Sequence, residues 1–482
     1  MSDAPDLSGL IKAYDIRGIV GESLNDDVAR AIGAAFADAV VLPDGDTHVV
    51  IGHDMRDSGP SLMEAVGWGL RRRGVNVVEI GLCSTDGLYH ASGILELPGV
   101  MITASHNPAG YNGMKMCRPL ARAVGETTGL GRVRELTADT LARQASGTGD
   151  IADAIAAADV PGEVSERETL AEYAAFLRDL VDLSDVRPLT VVVDAGNAMA
   201  GLTVPAVLGG EAGLDPLPLT IIPLYFELDG TFPNHEANPL DPANLVDLQR
   251  AVREHGADLG LAFDGDADRC FAVDERGEVV PASAITALVG LREAAREAAA
   301  GRSATVIHNL ISSRAVPEQL AAAGVTPVRS RVGHSIIKAQ MAELDAIFGG
   351  EHSAHFYFRD FFFADSGMLA AMHLMAALGG HDGTLSDLLE RHSPYAASGE
   401  INSTVIDAAA ARERVRAAFA GPDVTEDNLD GMTLEHWATE PRWWLNVRAS
   451  NTEPLLRLNV EAADPAVMAD IRDRALELIR EA

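Results

Sequence analysis

Four short polar stretches of this 482-residue chain interrupt apolar runs, and each carries residue types that do chemistry. "TASHNPAGYNGMK" (103–115) follows the apolar "PGVMI" and breaks helix and strand periods with Asn-Pro and Asn-Gly bends. Turn chemistry explains the bends but not Ser105 and His106, which the bend presents at the mouth of a strand, nor Lys115, which closes the stretch. By itself Ser105 reads equally as a local turn hydroxyl. "GLAFDGDADRCFAV" (260–273) places Asp264, Asp266 and Asp268 at alternate positions between apolar runs. Strand-like spacing would turn three carboxylates to one side, which their repulsion penalises unless a cation neutralises them. Hard oxygen ligands suit magnesium. Asp264, Asp266, Asp268 and Glu275 begin an EF-hand calcium pattern, but Arg269 stands where that loop needs glycine, and strand patterns rather than helices flank it. A solvated acidic turn is the plainer alternative.

"GGEHSAHFYFRDFFFADSG" (349–367) alternates Glu351, Ser353 and His355 along what reads as an extended loop. A carboxylate, a hydroxyl and an imidazole bind zinc or read sugar hydroxyls; serine is a poor zinc ligand, so hydroxyl readout is preferred. Structural roles for His352 and His355 stay open. "NVRASNTEPLLRLNVEA" (446–462) frames Arg448, Ser450, Asn451 and Thr452 between alternating apolar segments. That set forms either a phosphate cradle without a P-loop lysine or an ordinary hairpin turn. "AYDIRG" adds Tyr14 and Arg17, and "RVGHSIIK" adds His334 and Lys338 a helical turn apart.

The elements that must position these loops alternate strand-like and helical patterns, which implies α/β layers. "THVVIGHDMRDSGPSLMEAVGWGLRRRGVNVVEIG" reads strand, loop, amphipathic helix, glycine stop, strand. "PLTVVVDAGNAMAGLTVPAVLGGEAGLDPLPL" and "SATVIHNLISSRAVPEQLAAAGVTPVRSRVG" repeat that order, so three related α/β units are expected. The Ala-, Gly- and Asp-rich "ADTLARQASGTGDIADAIAAADVPGEVSE" reads as a linker, with further breaks near "DERGEV" and "RHSPYAASGEIN". These breaks place domains at 1–158, 159–278, 279–395 and 396–482, the last an α+β region ending in an amphipathic helix.

Composition narrows the partners. With 38 basic and 71 acidic residues the formal charge is −33, which argues against nucleic acid or an anionic membrane as partner. An anionic substrate would then need a locally basic pocket, which Arg17, Lys115, Arg269, His334 and Lys338 could supply. Three scattered cysteines without CxxC spacing argue against a disulfide framework or a zinc ribbon. The start lacks a basic-then-apolar leader and no apolar run reaches spanning length, so the expected location is the cytoplasm. GxSxG, Walker lysine and HExxH motifs are absent.

In this order the four loops resemble the α-D-phosphohexomutase family, and within it the bacterial phosphomannomutase/phosphoglucomutase group, from "YDIRG" to "RASNTEP". The resemblance implies three related α/β domains with mixed sheets and a smaller α+β fourth domain around a central cleft. It implies that Ser105 is a phosphoserine and that Asp264, Asp266, Asp268 and the Ser105 phosphate hold one magnesium. It assigns Glu351 and Ser353 to sugar reading with His355 closing the loop, Arg448, Ser450, Asn451 and Thr452 to the non-reacting phosphate, and Arg17, Lys115, Arg269 and His334 to the cleft; Tyr14, beside Arg17 in "AYDIRG", is a further substrate-binding candidate. The implied partners are hexose phosphates, with a hexose 1,6-bisphosphate as activator and a monomer or weak homodimer as the assembly. Lys115, His106 and His334 are the candidate proton acceptors, unranked. Two departures bear on substrate preference: "GEHSAH" stands where many relatives have GEMSGH, and Ile311 stands where some carry a lysine. A phosphoglucosamine mutase, a magnesium-dependent sugar phosphatase and a non-catalytic calcium-binding protein are the rival readings.

Overall fold

Three times a strand, a helix and a second strand parallel to the first follow one another. In the first case His48–His53 pairs in parallel with Asn76–Leu82 across the helix Gly59–Arg72. In the second, Leu189–Asp194 pairs with Leu219–Leu224 across Ala200–Val207. In the third, Thr305–Asn309 pairs with Thr326–Ser330 across Ala315–Ala322. Buried apolar strands demand cover on both faces, and the helices supply it. The computed structural model describes residues 5–12, 14–147, 149–449 and 455–481.

The chain divides into two compact units: 1–280 with 338–345 and 353–386, and 281–337 with 346–352 and 387–482. In the first unit, one sheet runs Ile16–Ile19, Tyr111–Arg118, Gly99–Ile102, His48–His53, Asn76–Leu82, Val164–Glu166, with Arg122–Ala123 attached to Tyr111–Arg118. Its central strands are parallel, and Tyr111–Arg118 is antiparallel to both its neighbours. A second sheet runs Val279–Val280, Cys270–Asp274, Leu259–Phe263, Leu189–Asp194, Leu219–Leu224. The hairpin Phe356–Phe358 with Ala364–Asp365 also belongs to this unit. In the second unit, Phe348–Gly350 joins Thr305–Asn309 in parallel, and an antiparallel sheet orders Ala396–Thr404, Leu455–Ala462, Trp443–Ala449, Met432–His436, Thr425–Asp427. Mixed sheets in α/β layers and an antiparallel α+β C-terminal region are the expected fold class.

One expectation needs correction. The stretch expected to be a linker is built into the first unit: Leu130–Ser146 is helical, Ile151, Ala154 and Ile155 are buried, and Val164–Glu166 pairs with Asn76–Leu82 as an edge strand. Ile151, Ala154 and Ile155 pack against Ala31 and Ala34, and composition alone does not distinguish such a docked segment from a spacer. Near "DERGEV", where a break was expected, Cys270–Asp274 and Val279–Val280 form a hairpin, and the division between the two units follows it directly.

The helix Thr85–Leu95 has both ends fixed by its own sequence. Ser84 caps it by accepting from Gly87 N, and Glu96 ends it in the left-handed region at φ 53°. Among the described residues, no helix is long and apolar enough to cross a membrane. All three cysteines are buried free thiols.

Candidate active site

Ser105 follows the fully buried strand Gly99–Ile102, on a turn, 3% exposed and at φ 51°. Such a conformation is costly for a residue with a Cβ and persists only where surroundings enforce it. Its hydroxyl donates to Asp264 Oδ2 at 2.9 Å and lies 3.1 Å from His106 Nδ1. Asp264, Asp266 and Asp268 are buried and their oxygens converge within 4.8 Å of one another.

The convergence does not arise from strand alternation, as the spacing predicts. The aspartates lie on the turn between Leu259–Phe263 and Cys270–Asp274, with Ala267 left-handed at φ 59°. A tight turn gathers carboxylates that a strand would spread over two residue repeats. Flanking strands instead of helices agree with the rejection of an EF-hand. Gly265 lets this turn meet the serine loop, since a Cβ there would sit 2.3 Å from Ser105 O. Gly265→Ala is therefore expected to destabilise the protein by about 1–3 kcal/mol and to lower turnover by displacing Ser105. Thermal unfolding and kcat measured together check it.

Cations surround the carboxylates. Lys115 Nζ donates to Asp266 Oδ2 at 2.6 Å and also to Asp268 Oδ2. Arg269 Nε donates to Asp264 Oδ2 at 2.8 Å, and Arg269 Nη2 donates to His106 Nδ1. Arg17, on the strand Ile16–Ile19, pairs with Asp15 at 2.7 Å and donates to Asn107 Oδ1. Burial and then the charges of Arg269, Arg17 and Lys115 hold His106 well below the usual imidazole range. Burial opposes the Lys115 charge, but Asp266 and Asp268 outweigh it and raise that ammonium above its ordinary value. Burial, against the opposing pull of Arg269, pushes the Asp264 carboxyl up to about 7. Each of these cations is paired with a carboxylate, Lys115 with Asp266 and Asp268, Arg269 with Asp264 and Arg17 with Asp15, so positive and negative charge offset one another around Ser105.

The donor set fits a small divalent cation. Asp266 Oδ1 and Asp268 Oδ1 are buried without a hydrogen-bond partner, and the oxygens offered are hard carboxylates with a serine hydroxyl alongside. The Lys115 ammonium supplies positive charge against the same carboxylates.

Residues without an obvious motif hold this arrangement. Thr85 N donates to Asp266 O at 3.0 Å and Thr85 Oγ1 to Asp266 Oδ2 at 2.6 Å, fixing the aspartate turn on the N-terminus of Thr85–Leu95. Asp86, beneath it, accepts from Ser84, Ser366 and Tyr173 at 2.5, 2.6 and 2.7 Å. Burial pushes Asp86 up to about 6 against those three donors. Lys338, expected with the substrate cations, is buried on Asp365 at 2.7 Å and sits 3.6 Å from the Tyr89 ring centroid. Its charge is spent inside the core.

The loop 351–355 is a turn, not the extended segment its alternation predicts, with Ala354 at φ 63°. The division between the two units falls within it, after His352. On the first-unit side, Ser353 Oγ lies 3.1 Å from His355 Nδ1, and the His355 and Arg269 backbones form an antiparallel bridge. His355 Nε2 is 3.6 Å from Asp268 Oδ1, and burial lowers its pKa to about 4. His355 therefore stands beside the carboxylate turn as a neutral imidazole.

In the second unit, Glu351 is buried at the end of Phe348–Gly350 and accepts from Gly333 N at 3.2 Å and Asn309 Nδ2 at 3.5 Å. His334 opens the helix His334–Leu344 and is half-buried. Arg448, on Trp443–Ala449, donates to Glu400 Oε2 at 2.5 Å, and Glu400 also pairs with Arg457 at 3.2 Å. Arg448 Nε is buried without a hydrogen-bond partner. Trp443–Ala449 and Leu455–Ala462 pair antiparallel with Arg448 opposite Arg457, so the loop joins two hairpin strands. Ser450, Asn451 and Thr452 lie outside the described residues. Tyr14 is half-buried in the first unit. Burial lowers the His352 pKa, with Glu400 opposing and Arg448 adding to the effect. Ile311 packs with Leu310, Trp437 and Trp444 in a small core.

The chain matches four consecutive family models. They are described as phosphoglucomutase/phosphomannomutase alpha/beta/alpha domains I, II and III and C-terminal domain, over residues 9–129, 171–277, 283–395 and 400–478. It is 40% identical over 468 residues to the "Phosphohexose mutases" of a Xanthomonas campestris strain, covering 96% of this chain and 97% of that one. It is 39% identical over 469 residues to the "Phosphomannomutase" of Salmonella typhimurium, with 96% and 97% covered. Among solved structures, a phosphoglucomutase/phosphomannomutase family protein from Burkholderia thailandensis superposes with a TM-score of 0.82 at 30% identity, covering 98% of both chains.

Proposed function

This chain belongs to the phosphoglucomutase/phosphomannomutase family, and on that premise we infer that it is a phosphomannomutase that also accepts glucose phosphates. It interconverts hexose 6-phosphate and hexose 1-phosphate. The observation that carries this reading is the Ser105 hydroxyl, hydrogen-bonded at 2.9 Å to a carboxylate of the buried aspartate turn and flanked by Lys115 and Arg269.

In the proposed reaction, phosphorylated Ser105 gives its phosphoryl group to the free hydroxyl of a hexose phosphate. The 1,6-bisphosphate turns over, and the other phosphoryl group returns to Ser105. Magnesium, which Asp264, Asp266 and Asp268 would hold, supplies charge neutralisation at the transferring group. Lys115 and Arg269 add fixed positive charge, and Gly265 brings the serine backbone against the aspartate turn, so that positioning and electrostatics do the catalytic work. Of the three candidate proton acceptors, Lys115 is held charged and His106 is weakly basic with Nδ1 accepting from Arg269. Glu351, Ser353 and His355 are assigned to the sugar, and Tyr14 and Arg17 to the substrate's approach.

Arg448, Ser450, Asn451 and Thr452 are assigned to the non-reacting phosphate. The unsatisfied Arg448 Nε supports this, because a dianion accepts two donors from one guanidinium. Arg448→Ala is expected to cost about 2–5 kcal/mol of transition-state stabilisation, equally in the forward and reverse directions, since both substrate orientations use the same clamp. Loss in one direction alone would show that it is not shared.

The deciding experiment is a coupled mutase assay on mannose 1-phosphate and glucose 1-phosphate, each with and without hexose bisphosphate. The two sugars differ only at carbon 2, and a pocket that accepts both orientations of the bisphosphate cannot dedicate buried partners to one hydroxyl. The kcat/KM preference for mannose is therefore expected to stay within about 10–200-fold. Undetectable turnover of glucose 1-phosphate would refute dual specificity. Release of inorganic phosphate in place of isomer would replace the mutase by a phosphatase.

A further inference from the structure

The parallel register of His48–His53 beside Gly99–Ile102, with His53 opposite Ile102, brings the turn after the first strand alongside the serine loop that follows the second. Arg56 occupies that turn and is among the largest fully buried side chains of the protein. Its Nη2 donates to the carbonyls of Ser105 and Asn107, at 2.9 and 2.6 Å. Its Nη1 donates to those of Pro108 and Tyr111, both at 2.9 Å. Its Nε faces Asp54 Oδ2 at 3.3 Å, while Asp54 Oδ1 accepts from the Arg56 main-chain N–H at 3.0 Å. The Phe232 ring covers the guanidinium, with its centroid 5.1 Å from Cζ.

We propose that Arg56 is the positioning residue of the phosphoserine loop: it fastens the backbone of residues 105–111 from below, so that Ser105 keeps its left-handed conformation and its hydroxyl stays aimed at the aspartate turn. A guanidinium has four terminal hydrogens in one plane, and here four carbonyls of one loop accept from its two terminal nitrogens. Ser105 is thereby held at both ends, its carbonyl by Arg56 and its hydroxyl by Asp264. A lysine keeps the charge but presents its donors from a single point, so it cannot reproduce the fork. The donors of Arg56 go to loop carbonyls and to Asp54, not to Ser105 Oγ or the aspartate turn, so its effect passes through the loop. The inference rests on the assignment of Ser105 as the phosphoryl carrier.

The test compares full-length wild type, Arg56→Lys and Arg56→Ala by steady-state kinetics, thermal unfolding and amide hydrogen exchange. Misplacement of the serine is expected to lower kcat about 100-fold in both variants, counted per folded molecule, with KM for the hexose phosphate unchanged. Amides of residues 105–111 should exchange faster, and added guanidinium ion should restore part of kcat to Arg56→Ala but not to Arg56→Lys. Wild-type kcat per folded molecule with only a lower Tm would reduce Arg56 to a structural residue and overturn the proposal. Should the Arg56 variants fail to fold, Asp54→Asn, which removes the charge aiming the guanidinium, should give a smaller loss confined to kcat; unchanged kcat and unchanged loop exchange would overturn it. If wild-type protein shows neither mutase turnover nor phosphate on Ser105, the functional assignment fails, while loop exchange in the variants still decides whether Arg56 holds the loop.

Discussion

Ser105→Ala is expected to lower kcat by at least about 10⁴-fold, equivalent to about 5 kcal/mol of transition-state stabilisation. The substitution removes the hydroxyl that would carry the phosphoryl group beside the aspartate turn. Ser105 sits in a left-handed conformation that glycine would adopt without strain, and the chain keeps a hydroxyl there on Asp264. A merely structural turn serine would contribute about 1 kcal/mol through that hydrogen bond, and its loss would show in Tm rather than in turnover. Intact-mass analysis should find a phosphorylated fraction that maps to Ser105 and rises on incubation with a hexose bisphosphate. Near-normal turnover by Ser105→Ala would end the assignment.

Removing divalent metal with a chelator is expected to abolish turnover, and magnesium should restore it better than calcium. Three carboxylates beside Arg269 on a compact turn suit a small, hard cation that keeps several waters, which favours magnesium over calcium. Asp266→Asn should lose most metal affinity, since it converts one hard anionic ligand to a neutral one. The pH dependence comes from Asp264, whose carboxyl burial pushes up to about 7. A carboxyl with a raised pKa holds its proton below that pH, and cation and proton compete for the same oxygens. Apparent magnesium affinity should therefore be fully developed above pH 7 and fall as pH drops through it, approaching about tenfold per unit. Isothermal titration with magnesium at several pH values, with the released protons counted, reads this directly. Metal-independent turnover, or full activity in Asp266→Asn, would count against the assignment.

The groups that meet around Ser105 were legible in the chain because each is marked locally. Ser105 with its Asn-Pro bend and the three aspartates ending an apolar strand each sit within a few residues of their own turn. Turn and strand preferences act over that range. The three strand, helix, strand units were likewise visible, since apolar periodicity marks buried faces whatever packs on them. Where the reading erred, local pattern was taken for geometry. Alternate spacing of Asp264, Asp266 and Asp268 suggested a strand, and of Glu351, Ser353 and His355 an extended loop. In both, one alanine in the left-handed region, Ala267 or Ala354, makes a turn instead. Alanine gives no signal of that conformation, which neighbouring loops impose.

Partners separated by long stretches of chain were decided only by the tertiary structure. Nothing near Arg56 announces that it will donate to four carbonyls some fifty residues on. Thr85 meets Asp266 across 181 positions, and Lys115 meets Asp266 and Asp268 across 151 and 153. Lys338 shows the converse, a cation placed by sequence among the substrate groups and committed by packing to Asp365 and Tyr89. The sequence by itself supplied the candidate groups, because residue type and local turn preference are written in the chain. The fold decided which of them meet and which ionise, because burial and charge pairing depend on the register of strands far apart in sequence.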